Sequence, residues 1–170
     1  LVGSEMCIRD RLAGRAKDTI IRGGHNIDPL ITEDALASHP SVEIAAAVGK
    51  PDAYAGELPV AYVTLVEGSD VSEDELLNYA RENVSERAAA PVEVIIRTEI
   101  VVTAVGKIFK PVLRNDAISL GYTQAVKNIC PDLQFKAWVT EDKLAGRKVL
   151  LKILAPLTND AESTAKKLEV

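Results

Sequence analysis

Runs of apolar residues along this chain alternate between strand-like and helix-like spacing. Short runs rich in valine and isoleucine have the length of strands and lie within residues 18–24, 42–48, 58–66 and 92–97. Between them, apolar residues recur near helical spacing, and we predict helices within residues 29–38, 72–84 and 108–117. This order of elements favours an α+β fold, in which a small sheet is flanked by helices.

Capping and turn residues indicate where several of these elements begin and end. Asp28 before Pro29 suits the start of the first helix, because a carboxylate can cap free N–H groups and proline fits the first turn. Ser72 and Glu75 have the spacing of a capping box and predict the start of the second helix. Residues 49–52, Gly-Lys-Pro-Asp, carry turn chemistry, so we predict a turn between the second and third strands.

A second pattern begins after about Leu120. We predict a helix within residues 123–129, two strands within 133–139 and 149–154, and a last helix within 159–168. Together they form an appended αββα module over residues 118–170, close to the lower size limit for independent folding. The last helix leaves no closing strand, so truncation of this module is one interpretation. The module carries no chemical motif, which favours a packing appendage.

The first eleven residues, LVGSEMCIRDR, differ from the rest of the chain. They have neither helical nor alternating apolar spacing, and they lack the order of basic start, apolar stretch and cleavage site that defines a signal peptide. The segment resembles the conceptual translation of a sequencing-library adapter. We therefore interpret residues 1–11 as a scar that is not native, and we expect the natural protein to continue upstream.

Charge and composition exclude several classes of protein. The formal net charge is −5 and no basic block occurs, so we expect no nucleic-acid partner. The longest apolar stretch, residues 92–113, is interrupted by charged residues and is not expected to span a membrane. The two cysteines and two histidines lack metal-ligand spacing. Cys130 is interpreted as a small buried hydrophobe, with a reactive thiol as the alternative, and this cysteine usage fits a reducing cytoplasm.

Two separated segments carry the most specific pattern in the chain. The first is Gly-Arg-Ala-Lys-Asp at residues 14–18, which leads into Gly-Gly-His-Asn-Ile at residues 23–27. The second is Thr-Ala-Val-Gly-Lys-Ile at residues 103–108. Together they resemble signatures of the adenylate-forming superfamily, which contains acyl-CoA synthetases, luciferases and peptide-synthetase adenylation domains. The resemblance assigns residues 12–117 to the small C-terminal domain of such an AMP-binding enzyme.

The resemblance implies a reaction in two steps, between which the small lobe rotates. ATP and a carboxylic acid first give an acyl-adenylate, and a thiol then captures the acyl group. Lys107 is implied to be catalytic in the first step, where an ammonium group on a flexible stem stabilises charge that builds on neighbouring oxygens. Gly106 supports this loop by leaving the approaching backbone unencumbered. The alternative for Lys107 is an ordinary solvated lysine.

The first motif is implied to supply the thiol channel and the hinge. Gly23 and Gly24 would line the channel for the pantetheine arm of CoA, with His25 beside it, because glycine permits positive φ and a close ligand. A plain strand-to-helix turn would need the same glycines and stays open, as does a surface role for His25. Lys17 matches the hinge position. Arg15 is implied to contact the nucleotide or the large lobe, with a structural salt bridge as the alternative.

Three residues near the second motif refine this interpretation. Val101 stands where the family usually has a proline shortly before the motif, which loosens the expected geometry of the loop. Lys110 and Arg114 follow the motif on the predicted helix. We interpret them as a solvated helix face, or as contacts that fix the loop, rather than as reacting groups.

We therefore interpret the chain as a C-terminal lobe fragment of an ATP-dependent acyl-CoA synthetase, located in the cytoplasm and inactive by itself. The missing large N-terminal lobe would bind most of the ATP, the Mg²⁺ and the carboxylic acid, so the sequence does not name the acid. A medium or long fatty acid is one interpretation. A luciferase-like or peptide-synthetase adenylation enzyme is an alternative, and so is a free-standing regulatory or interaction module.

Overall fold

The structure is a computed structural model, and it describes residues 18–104, 106–142 and 146–154. The predicted scar at residues 1–11, Arg15, Lys17 and the helix predicted at residues 159–168 lie outside the described residues. The elements in chain order are β1 (Ile20–Arg22), β2 (His25–Ile27), α1 (Pro29–Ala37), β3 (Val42–Asp52), β4 (Gly56–Leu65), α2 (Glu73–Asn83), a 3-10 turn (Arg87–Ala89), β5 (Glu93–Ile96), α3 (Lys110–Ile129), β6 (Phe135–Asp142) and β7 (Gly146–Ile153).

The main sheet is built around β4. Along one edge, β4 pairs antiparallel with β3 over almost its whole length, with an irregularity in register between Val42 and Ile44. Along the other edge it pairs with β5, which runs parallel, and with β1 through Arg22 and Gly56. β2 adds to the outer edge of β1 as an antiparallel partner. The result is a small mixed sheet of five strands.

Helices cover both faces of this sheet. On one face, α1 and α2 bury Leu36 and Leu76 against Ala45 and Val63 of the two central strands. On the other face, α3 buries side chains against the alternate positions of the same strands, in a cluster that includes Val48, Val60, Tyr62, Leu113 and Ala117. Successive strand residues point to opposite faces, so two-sided burial explains why β3 and β4 are continuous apolar runs in the sequence. The predicted α+β class is confirmed.

Both predicted helix starts are confirmed in atomic detail. Asp28 is the N-cap of α1, its carboxylate accepts a hydrogen bond from the Leu30 amide at 3.0 Å, and Pro29 occupies the first turn. At α2, the Ser72 hydroxyl accepts from the Glu75 amide at 3.2 Å, and the Glu75 carboxylate accepts from the Ser72 amide at 3.0 Å. These bonds satisfy amides that a helix leaves without partners.

The turn predicted at residues 49–52 is wrong, because these residues continue β3. Lys50 and Pro51 pair across the sheet with Leu58 and Glu57. Proline is tolerated here because β3 forms an edge of the sheet, where a missing N–H removes no ladder bond on the open side. The reversal comes at residues 53–55, where the Asp52 carboxylate accepts hydrogen bonds from the next backbone amides.

The two helices predicted on either side of Leu120 form a single helix of 20 residues, α3. Gly121 lies inside it and allows close packing, since a Cβ at this position would lie 2.9 Å from the Pro51 carbonyl oxygen. One turn further on, Gln124 accepts a hydrogen bond of 2.9 Å from the Lys50 ammonium group. The domain boundary predicted between residues 117 and 118 therefore falls within a helix, and it stays a prediction. No helix in the described ranges, α3 included, is long and apolar enough to cross a bilayer.

The strands predicted within residues 133–139 and 149–154 are confirmed as β6 and β7. They form a separate antiparallel hairpin whose register runs from the pair Phe135 and Ile153 to the pair Asp142 and Gly146. The hairpin contacts α3, chiefly through β6. Large apolar side chains of the hairpin, among them Trp138, Leu150 and Leu151, remain exposed.

Candidate active-site loop

The loop that carries Lys107 is a tight turn closed by a short bridge. Val102 pairs antiparallel with Ile108, and the Phe109 amide donates to the Val101 carbonyl at 2.8 Å. Inside this bridge, the Thr103 amide donates to the Lys107 carbonyl at 2.7 Å. A reversal of this kind holds the residues at its tip away from the body of the domain.

Thr103 organises the loop through two further hydrogen bonds, in addition to the one from its amide. Its carbonyl accepts from the Gly106 amide at 2.8 Å, and its hydroxyl accepts from the Lys107 amide at 3.2 Å. Thr103 belongs to the motif, but the motif by itself assigns it no role. The available signal was a threonine that opens a glycine-containing turn, since its hydroxyl can bond nearby backbone amides.

Gly106 adopts a φ of +74°, which side chains other than glycine rarely adopt. A Cβ built there would meet no atom within 4 Å, so the conformation of the backbone is the reason for glycine at this position. The prediction that Gly106 supports the loop agrees with this geometry. Its role in a reaction stays a prediction.

Lys107 is exposed at the end of this turn, and its ammonium group forms no ion pair with any residue in the described part of the chain. Exposed apolar side chains surround it in sequence, namely those of Val101, Val102, Phe109 and Val112. Contiguous exposed apolar patches mark surfaces that contact other proteins, and these residues are candidates for such a surface.

The helix that follows the loop is fixed to the domain by a buried ion pair. The Lys110 ammonium group lies 2.7 Å from Glu33 Oε1 of α1, and both side chains are at least 85% buried. The same Glu33 oxygen accepts a hydrogen bond from the Ala47 amide of β3 at 2.8 Å. Of the two interpretations of Lys110, the structure favours a contact that fixes the loop, because a solvated side chain would not be enclosed in this way. Sequence reasoning did not find Glu33, because its partner lies far away along the chain.

Gly23 and Gly24 form the turn of the hairpin between β1 and β2, so the strand-to-helix turn considered from the sequence is replaced by a hairpin. Their φ angles are +56° and +83°, and a Cβ at either glycine would meet no atom within 4 Å. His25 is exposed and pairs with Arg22 in the hairpin ladder. The turn therefore presents an open, glycine-lined backbone, and its role in a CoA channel stays a prediction.

A second turn lies against this glycine turn. The Gly23 amide donates to the Ala55 carbonyl at 2.7 Å, which joins the glycine turn to the reversal between β3 and β4. Tyr54 at that reversal is 99% exposed. Hydrogen bonds from the amides of Ala55 and Tyr54 lower the pKa of the Asp52 carboxyl, so this residue holds the turn as a carboxylate.

The comparisons with known proteins give the domain its family. A model of the AMP-binding enzyme C-terminal domain matches residues 32–107, a range that ends on Lys107 and includes the Gly106 turn. Residues 32–107 match an AMP-binding enzyme C-terminal domain. The described residues contain no group of three or more His, Cys, Asp and Glu side chains that could hold a metal ion.

Relatives of this AMP-binding enzyme C-terminal domain include named ligases. The chain is 51% identical over 144 residues to a marinolic acid–CoA ligase of Pseudoalteromonas sp. (strain SANK 73390), a match that covers 85% of this chain and 22% of the relative. Curated relatives of this kind are much longer, and the chain spans about a fifth of their length.

Solved structures agree with the domain assignment. An acyl-CoA synthetase of Brucella canis is 34% identical, with a TM-score of 0.55, and the match covers 62% of this chain and 20% of that one. An ATP-bound form of MatB from Rhodopseudomonas palustris is 29% identical, with a TM-score of 0.59, and the match covers 64% and 21% of the two chains. The shared region is therefore the C-terminal domain.

Proposed function

We propose that this domain is the mobile lobe of an ATP-dependent acyl-CoA synthetase and that Lys107 is its catalytic residue. The observation that carries the proposal is the exposed Lys107 at the tip of a turn that Thr103 and the positive φ of Gly106 hold in shape. The names of the relatives, a CoA ligase and an acyl-CoA synthetase, support the reaction class.

In the first step, a carboxylate oxygen attacks the α-phosphorus of ATP, and the bond to pyrophosphate breaks to leave an acyl-adenylate. Negative charge is shared among the carboxylate and phosphate oxygens as the new bond forms. Lys107 supplies positive charge and several N–H donors to these oxygens without giving up its proton. The exposed Val101, Val102 and Phe109 would seat this loop against a large N-terminal lobe and exclude water from the reacting atoms.

In the second step, the thiolate of CoA attacks the acyl carbon and AMP leaves. We assign the pantetheine path to the turn of Gly23 and Gly24, with His25 at its rim. Two neighbouring glycines with open space where a Cβ would lie leave the backbone of the turn accessible to a narrow ligand. This turn and the Lys107 loop are different parts of the lobe, so the lobe rotates to present one and then the other, with Lys17 as the hinge and Arg15 on the nucleotide.

Mg²⁺ and most contacts to the acid belong to the N-terminal lobe in this proposal. The described residues offer no cluster of carboxylate or imidazole ligands, so they do not fit a metal site. By itself the chain is expected to be inactive, because it supplies one catalytic side chain and one channel wall. The acyl group is selected by the N-terminal lobe.

The first test separates the two steps in the complete enzyme. Lys107→Ala is expected to slow formation of the acyl-adenylate by about 10²–10³-fold, since a positioned donor to developing charge contributes that much. Release of pyrophosphate measures this step. Thioester formation from supplied acyl-adenylate should change little. The matched control is Lys127→Ala, which removes another exposed lysine, at the end of α3. Equal loss in both steps would contradict the assignment of Lys107.

The second test uses two glycines with nearly the same φ angle. Gly24 and Gly68 have φ angles of +83° and +82°, and both have open space where a Cβ would lie. Alanine at either position costs about 1 kcal/mol of backbone strain. Only Gly24→Ala is expected to slow thioester formation, because only it would narrow the CoA path. Similar kinetics for the two variants would refute the proposed channel.

A further inference from the structure

The segment that enters the domain is held by an ion pair to the helix behind the catalytic loop. Arg114 Nη2 of α3 lies 2.7 Å from Asp18 Oδ1, between residues 96 positions apart in the chain. The side chains are only 19% and 26% exposed. Limited exposure reduces screening by water and salt, and a guanidinium group holds a carboxylate in a defined direction. Asp18 directly follows Lys17, the proposed hinge.

Among the described contacts, the ion pair with Arg114 is the one that holds Asp18, just before the sheet begins. From Ile20 onward the chain is held by the sheet, since Ile20 is fully buried and the Ile21 amide donates to Glu57 at 2.9 Å. Asp18 and Thr19 precede this anchorage. The Arg114 contact therefore extends the rigid part of the domain two residues towards the hinge.

Arg114 is also connected to the catalytic loop. It lies one helical turn after Lys110, and residues four apart share a helix face. Lys110 fixes the start of α3 through Glu33, and that start follows the Lys107 turn directly. The helix α3 therefore contacts the residue next to the hinge through Arg114, and its N-terminus follows the catalytic loop directly.

We propose that Arg114 is a positioning residue that ends the hinge at Asp18, so that rotation about Lys17 moves Lys107 as part of a rigid body. The inference rests on the proposed function. With the pair broken, Asp18 and Thr19 join the hinge, and the positions of both the Lys107 loop and the glycine turn become less defined in each orientation. Both steps should slow together, unlike the selective effect of Lys107→Ala.

The kinetic test is a double-mutant cycle in the complete enzyme with Asp18→Asn and Arg114→Met. Each variant is expected to lower kcat of both steps about tenfold with little change in KM, and the double variant should be no slower than either single variant. Arg114→Lys should recover part of the loss, because it keeps the charge. The control is Asp116→Asn, which lies on the same helix as Arg114 and breaks a different ion pair, the one with Arg97 after β5.

A second measurement does not depend on activity. Tryptic cleavage after Lys17 of the folded protein, followed by mass spectrometry, should accelerate about tenfold in Arg114→Met, since cleavage tracks local opening and this substitution leaves the residues at the cleaved bond unchanged. Asp116→Asn should leave it unchanged. Unchanged cleavage in Arg114→Met, or unchanged kinetics in both Asp18→Asn and Arg114→Met, would overturn the inference. If Lys107→Ala leaves adenylate formation intact, the proposed function fails instead, whatever the cleavage rates are.

Discussion

The most informative stability prediction concerns Lys50, a charged residue inside the domain. Its side chain is only 8% exposed, and its ammonium group lies 2.9 Å from both Glu93 Oε2 of β5 and Gln124 Oε1 of α3. These contacts join the edge strand β3 to a strand on the far side of β4 and to the second half of α3. Lys50→Met removes the charge and keeps most of the apolar stem.

The expected cost follows from the exposure of the groups that lose a partner. Removing one member of a fully buried ion pair costs about 3–5 kcal/mol, because the other charge stays desolvated. The Glu93 side chain is 33% exposed, so water can solvate part of its charge and the cost falls to about 2 kcal/mol. The comparison is Arg97→Met, which breaks the pair with Asp116. Both of those side chains are 43% exposed, so the expected cost is below about 1 kcal/mol.

Urea unfolding of the purified chain, followed by circular dichroism, measures both free energies. The free energy of unfolding should fall with urea concentration at the same slope in both variants, which makes the two values comparable. Gln124→Leu removes the hydrogen bond between Lys50 and α3 and should give an intermediate loss of free energy of unfolding. If Lys50→Met lowered the free energy of unfolding no more than Arg97→Met does, burial would not explain how much the Lys50 contacts stabilise the fold.

Further predictions concern the α3 packing, the catalytic loop and a helix cap. Gly121→Ala should lower the free energy of unfolding by about 1–2 kcal/mol despite better helix propensity, because its Cβ would lie 2.9 Å from the Pro51 carbonyl oxygen; urea unfolding measures this, and a stabilised variant would contradict the packing. Thr103→Val should lower kcat of adenylate formation about tenfold with an unchanged stability, because the loop loses a hydrogen bond but no buried group. Hydrogen bonds from the Ser72 amide and hydroxyl lower the pKa of Glu75, so its stabilising effect is present above its ordinary pKa and is lost as the pH falls through the lowered value; Glu75→Gln should flatten the acid side of the stability profile.

Several features of the fold and site could be predicted because their causes are local in sequence. The capping box of Ser72 and Glu75 is complete within four residues, and its hydrogen bonds form wherever the helix begins. The positive φ angles at Gly106, Gly23 and Gly24 follow from the conformational freedom of glycine. These residues identify the candidate loops without reference to any tertiary contact.

Other features depended on the tertiary structure. The sequence suggested a turn at Lys50 and Pro51, but pairing with β4 draws both residues into a strand. It suggested a break near Gly121, where the helix continues because glycine allows contact with β3.

The difference between features that the sequence predicts and features that only the tertiary structure decides has a physical reason. The sequence alone determined the caps, the positive-φ turns, the apolar faces and the motif that carries Lys107, since each depends on neighbours a few residues away. The ion pair of Arg114 with Asp18 and the contacts of Lys50 join positions far apart in the chain. No spacing rule connects such residues, because burial lets charges pair only after the sheet and α3 have brought them together.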